Sequence, residues 1–93
     1  MSIATTDQFD ASASWSLNPQ VSLRDESFGA LAYHHGTRRL VFLKSRELVE
    51  LVRKLADFDS ANAAIEQIAP ATQRDRYVTA LSSLARSEIL SER

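Results

Sequence analysis

From residue 28 to residue 44 the chain reads FGALAYHHGTRRLVFLK, two short apolar runs on either side of a polar break. Phe28, Leu31 and Tyr33 precede the break, and Leu40, Val41, Phe42 and Leu43 follow it. The break itself, His34-His35-Gly36-Thr37, holds a glycine where a hairpin turn needs one, so the pattern predicts a β-hairpin. With Gly36-Thr37 as a two-residue turn, His35 faces Arg38, Tyr33 faces Leu40 and Leu31 faces Phe42. Leu31, Tyr33, Leu40 and Phe42 then share one face, expected to lie over the core as cross-strand pairs. The smaller, mixed set of Ala30, Ala32, His34, Arg39, Val41 and Leu43 occupies the other. In such a hairpin the flanking pair exchanges both backbone hydrogen bonds. The backbone groups of Arg38, Leu40 and Phe42 are therefore expected to point inward, and those of Arg39, Val41 and Leu43 to point outward.

Upstream, Trp15, Leu17, Val21 and Leu23 alternate with other residues until Asn18-Pro19 interrupts. Proline cannot donate to a ladder, which places a first strand at residues 20–24. Residues 1–14 are rich in Ser, Thr, Ala and Asp, with Ile3 and Phe9 as large apolar residues, and read as a flexible tail ahead of one domain, 15–93. Downstream the period changes. Ser45 is suited to cap a helix in which Leu48, Leu51, Val52 and Leu55 line one face, ending near Asp57. Asp59-Ser60 opens a second helix with Ile65 and Ile68 inward, and Pro70 stops it. Thr72 and Asp75 have capping-box spacing and open a third helix, residues 73–86, with Tyr77 or Val78, Leu81, Leu84 and Ala85 inward. The order is β-β-β-α-α-α. This is an α+β fold, a three-stranded antiparallel sheet followed by three helices in a winged-helix-like arrangement. Its expected core is Leu31, Tyr33, Leu40, Phe42, Leu51, Leu55 and Leu81.

Composition narrows the function more than the fold. Ninety-three residues, 44% hydrophobic and 25% charged, make one globular domain. The absence of cysteine excludes disulfides, thiolate metal sites and a cysteine nucleophile, and suits a reducing cytoplasm, where the protein is expected to act. No apolar run has membrane-spanning length. Net charge is only −1, but the cations are unevenly placed. Arg38, Arg39, Lys44, Arg46, Arg53 and Lys54 gather on the third strand and first helix, which suggests an acidic partner. His34 and His35 are adjacent on a strand and point to opposite faces, so they do not chelate one ion. No serine sits in a nucleophile elbow, two glycines cannot build a phosphate loop, and the carboxylates are scattered. The chain is expected to be a binding protein without catalytic residues or a metal site.

Three blocks carry a family resemblance: Trp15-Ser16-Leu17 ahead of Val21-Ser22-Leu23-Arg24, then FGALAYHHGTRRLVFLKS, then the helix ELVELVRKLAD. Together, over about residues 15–90, the chain resembles the peptide chaperones of the mycofactocin system. These fall within the wider group of peptide-recognition elements typified by the D protein of pyrroloquinoline-quinone biosynthesis. The resemblance implies a PqqD-like fold that binds the leader of a short acidic precursor peptide and presents it to a radical S-adenosylmethionine maturase. It further implies that the leader adds as a strand to the third strand, in a groove bordered by the third helix. The site residues are then Arg38, Arg39, Leu40, Val41, Phe42, Leu43 and Lys44 on the strand, with Arg74, Tyr77, Val78 and Leu81 on the helix. An exposed edge suits an added strand. Arg39 and Lys44 read first as attraction for an acidic guest, joined by Arg74 and Arg76 at the start of the third helix, and second as guards of that edge. The alternative is a winged-helix nucleic-acid binder. The third helix speaks against it, because Arg74, Arg76 and Arg86 are offset there by Asp75 and Glu88.

Overall fold

The computed structural model describes residues 9–93. The predicted meander is present: β2 (Val21–Glu26), β3 (Gly29–His34) and β4 (Leu40–Leu43) form an antiparallel sheet in that order, with β4 at one edge. Helices α1 (Arg46–Lys54), α2 (Ala61–Ile68) and α3 (Arg74–Arg86) follow. Two further short strands, β1 (Trp15–Leu17) and β5 (Leu90–Glu92), pair with each other as a separate ribbon that ties the two ends of the domain together. Neither was expected. The chain reaches β5 through a reversal after α3. The Ile89 N–H donates to Leu84 O at 2.9 Å and the Glu88 N–H to Ala85 O at 3.0 Å. Glu88 takes the left-handed conformation (φ 64°) that glycine usually fills at such a helix end.

Two helix starts form as their sequences suggest. Ser45 accepts from the Leu48 N–H at 3.0 Å, and Ser60 accepts from the Ala63 N–H at 3.1 Å. The third does not. Residues Ala71–Gln73 make a 3-10 turn after Pro70, so Thr72 is already helical and no side chain caps α3. The expected capping box between Thr72 and Asp75 is absent for that reason. Residues 1–8 of the expected tail lie outside the described residues. Its remainder, 9–14, contacts the body. The Ala61 and Asn62 N–H groups donate to Ala13 O and Ala11 O, and the Phe9 ring packs on Trp15 at 4.9 Å.

The hairpin has the expected register, with Tyr33 opposite Leu40 and Leu31 opposite Phe42, but the opposite face inward. Leu40 and Phe42 are 53% and 54% exposed, and Leu31 and Tyr33 are half-buried. The core side carries Ala30, Ala32 and Leu43, all fully buried, with Val41 partly covered. The reason is spacing. Small side chains on β3 let α1 settle close to the sheet, and the apolar residues of β2, Val21 and Leu23, pair with His34 and Ala32 on this same side. Ser22 and Arg24 of β2 pair with Tyr33 and Leu31 on the outer side. Gly29 shows how close the packing is, since a Cβ there would run into the Leu43 carbonyl oxygen. Of the expected core, Leu51, Leu55 and Leu81 are buried; Leu31, Tyr33, Leu40 and Phe42 are not in it.

The loop also differs from the two-residue turn. The His34 N–H donates to Arg39 O at 2.9 Å, and the Arg38 N–H donates to His34 O at 2.7 Å. Four residues, 35–38, thus form the loop, with Arg38 in the left-handed region (φ 66°). His34, expected at a polar hairpin end, is only 3% exposed. Its Nδ1 accepts from the Gly36 and Thr37 N–H groups, both at 3.0 Å, so the imidazole holds the loop from within the core.

Candidate functional site

The four-residue loop decides which backbone groups reach the open edge of β4. Hydrogen-bonded pairs recur at every second residue of an antiparallel ladder. Since His34 and Arg39 bond across the loop, the bonded pairs are next Ala32–Val41 and then Ala30–Leu43. The β2–β3 ladder agrees. The His35 N–H donates to Gln20 O at 2.8 Å, so residues 35, 33 and 31 of the central strand turn toward β2 and residues 34, 32 and 30 toward β4. The outward groups of β4 therefore belong to Leu40 and Phe42, with Lys44 next in line. This corrects the expected assignment to Arg39, Val41 and Leu43, which rested on a two-residue turn.

Beyond Leu43 the edge runs into a groove of about 280 Å³ between the start of α1 and one side of α3. Lys44, Ser45 and Leu48 line one wall, and Arg76, Tyr77 and Ala80 the other. Ser45 leads straight from strand to helix, so the α1 N-terminus has to border the strand's end. On α3, Tyr77 lies within four residues of Arg76 and Ala80, on one side of the helix.

The expected site residues divide into three sets. Leu40, Phe42, Lys44 and Tyr77 are brought to the edge or the groove, with Arg38 and Arg39 exposed at the loop end of β4. Val41 and Val78 are half-buried, while Leu43 and Leu81 are fully buried and support the site from below. Arg74 lies elsewhere. Its guanidinium donates to Asn62 Oδ1 of α2, and it lines a different hollow with Ile65 and Pro70. Arg76 is the α3 cation in the groove. Leu48 and Ala80 were not expected, and Arg76 was expected only as a cation that, with Arg74, attracts the guest. The missing signal was tertiary, because which sides of α1 and α3 face each other across the groove depends on how the two helices pack.

The basic cluster is thinner than the sequence suggests. Arg53 pairs with Asp25 at 2.9 Å and Lys54 with Glu50 at 3.1 Å. Arg38, Arg39, Lys44, Arg46 and Arg76 make no ion pair among the described residues. Lys44 and Arg76 line the groove, where Glu47 only partly offsets them, and Arg38 and Arg39 are exposed at the loop end of β4, whereas Arg46 lines a separate hollow with Asp25 and Glu26. Among the described residues no group of three or more His, Cys, Asp or Glu could hold a metal ion. No helix among them is long and apolar enough to cross a membrane. The arrangement offers unpaired backbone groups, apolar side chains and cations, which is equipment for holding an extended chain rather than for breaking a bond.

A family model described as the peptide chaperone MftB family matches residues 14–91. The chain is similar to the peptide chaperone MftB of Mycobacterium tuberculosis, with 43% identity over 97% of this chain and 84% of that protein. It is similar to the Mycolicibacterium smegmatis protein of the same name, with 47% identity over 88% of this chain and 81% of the relative. The Mycobacterium ulcerans protein of that name is 43% identical over 88% of this chain and 76% of its own length. No solved structure matches.

Proposed function

We propose, for a chain that belongs to the peptide chaperone MftB family, that its precursor peptide is held as an added strand on β4. A chaperone of this family is a non-catalytic protein that binds a precursor peptide of the mycofactocin system. In our reading the leader of that peptide pairs with Leu40 and Phe42 through the backbone and continues into the groove between Lys44 and Arg76. The chaperone then presents it to a radical S-adenosylmethionine maturase in the cytoplasm, and the cofactor chemistry belongs to the maturase.

One observation carries this reading. The outward N–H and C=O groups of Leu40 and Phe42 stand at a sheet edge that leads directly into a groove. An extended guest satisfies those groups at little structural cost to the host, which is how added-strand recognition works. The edge is short, only four residues, so backbone pairing alone gives few hydrogen bonds. Side-chain contacts in the groove and attraction from Lys44 and Arg76 supply the remainder.

Backbone amide exchange tests the reading directly. On saturation with full-length precursor peptide, the Leu40 and Phe42 N–H groups should slow by about tenfold or more, whereas Val41 N–H, already bonded to β3, should change little. Tight binding with unaltered exchange at Leu40 and Phe42 would overturn the added-strand model.

A further inference from the structure

We propose that the outer face of the sheet is a second reading surface for the same guest, contacting every other side chain of the added strand. The proposal rests on the added-strand reading above and concerns what that strand must carry. Phe28, Leu40 and Phe42 are the exposed large hydrophobics of the described residues, and all three lie on this face with half-buried Leu31 and Tyr33. Phe28 and Phe42 meet edge to face at 5.9 Å. Beside them a shallow hollow of about 490 Å³ is walled by Phe28, Leu31 and Phe42, with Glu26 and Lys44 at its rim. A contiguous apolar surface of this kind marks an interaction site more often than an accident of folding.

The hydrogen-bonding phase names the occupant. Residues directly opposite each other in a ladder point to the same face. A strand pairing with Leu40 and Phe42 therefore sets its two facing residues on the outer face, one beside Leu40 and one beside Phe42 and the hollow. The residue between them turns to the other side, and the strand continues past Leu43 into the groove that holds Arg76 and Tyr77. The guest accordingly needs two large apolar residues spaced two apart, with a polar or acidic residue between or next to them. A second copy of this chain is a poorer fit. Full antiparallel overlap of two β4 edges, Leu40 opposite Phe42, also sets Arg38 opposite Lys44 at both ends, and like charges directly opposite are destabilising.

The test uses full-length mycofactocin precursor peptide, labelled with a fluorophore, against the parent protein, Phe28→Ser and Phe42→Thr. Circular dichroism should show both variants folded, since neither ring is a core residue. Each should bind the peptide about tenfold more weakly or worse. Replacing each large apolar residue of the peptide by serine in turn should expose two sensitive positions two residues apart. One of these should lose its sensitivity in the Phe42→Thr background, as a direct contact requires. Unchanged affinity in both folded variants, with Leu40 amide exchange still slowed by the peptide, overturns this proposal and leaves the added strand standing. No slowing in the parent protein overturns both. Loss of maturase binding or of self-association at unchanged peptide affinity assigns the face to those partners and overturns it as well.

Discussion

The inverted hairpin makes a stability comparison between two adjacent residues unusually informative. Leu43 is fully buried on the core side of β4, beside Ala30 and under the helices, and Phe42 is 54% exposed on the outer side. Leu43→Ala removes a buried isobutyl group. Its nearest strand neighbour is an alanine that cannot expand into the space, so both the transfer loss and the cavity cost apply, about 3 kcal/mol or more. Phe42→Ala removes a larger side chain but leaves no enclosed cavity. A phenylalanine has about 200 Å² to bury, and with half of it in water and part of the covered area contributed by backbone, about 60 Å² is lost. At about 25 cal/mol per Å² this amounts to about 1.5 kcal/mol. A domain of this size is stable by about 5–14 kcal/mol, and each kcal/mol moves its melting temperature by about 4–8 °C. Leu43→Ala should therefore lower the melting temperature by about 12 °C or more, at least twice the effect of Phe42→Ala. Thermal melts by circular dichroism, with urea melts to confirm equal denaturant dependence, provide the comparison. If Phe42→Ala melts at or below Leu43→Ala, the large-residue face is the core after all and the site on it does not exist.

The hydrogen-bonding phase predicts the fate of two prolines. Leu40→Pro should stay folded and lose precursor binding, whereas Val41→Pro should unfold because its N–H belongs to the β3 ladder; circular dichroism and one isotherm per variant decide it. Charge reversal at Arg76 should weaken binding of the precursor peptide and flatten its salt dependence, while reversal at Arg74, which faces α2, should leave both near the parent values. His34→Ala should cost about 2 kcal/mol or more, since two loop N–H groups lose their acceptor and a buried ring is removed; a melting temperature equal to the parent would show the imidazole to be dispensable.

Most of the fold was legible because its signals are local. Ser45 and Ser60 announce helix starts, Pro70 ends α2, and the period-two and period-3.6 stretches separate sheet from helices. The β1–β5 ribbon was not legible, because it is a non-local pairing of three-residue segments and the reversal leading to it uses Glu88 rather than a glycine. The inward face of the hairpin was legible in principle. Size was the wrong criterion. The apolar residues of β2 are Val21 and Leu23, the polar ones Ser22 and Arg24, and once β2 is aligned with β3 this alternation puts Ala30, Ala32 and His34 inside. Ranking residues by bulk instead chose the surface that faces water.

The site shows the same division between local and non-local information. That β4 would be an edge followed from element order, although the strand expected from Arg38 to Leu43 begins two residues earlier than the observed Leu40–Leu43. Which of its backbone groups point outward depended on two extra loop residues, and those depended on His34 being buried and accepting the loop's N–H groups. A single buried imidazole thus fixes the loop length, the loop fixes the bonding phase, and the phase decides that Leu40 and Phe42 present both backbone and side chain at the edge. The large apolar residues that a core would ordinarily claim are left outside by this chain of causes. They lie where a guest strand, and not a helix of the protein itself, can cover them.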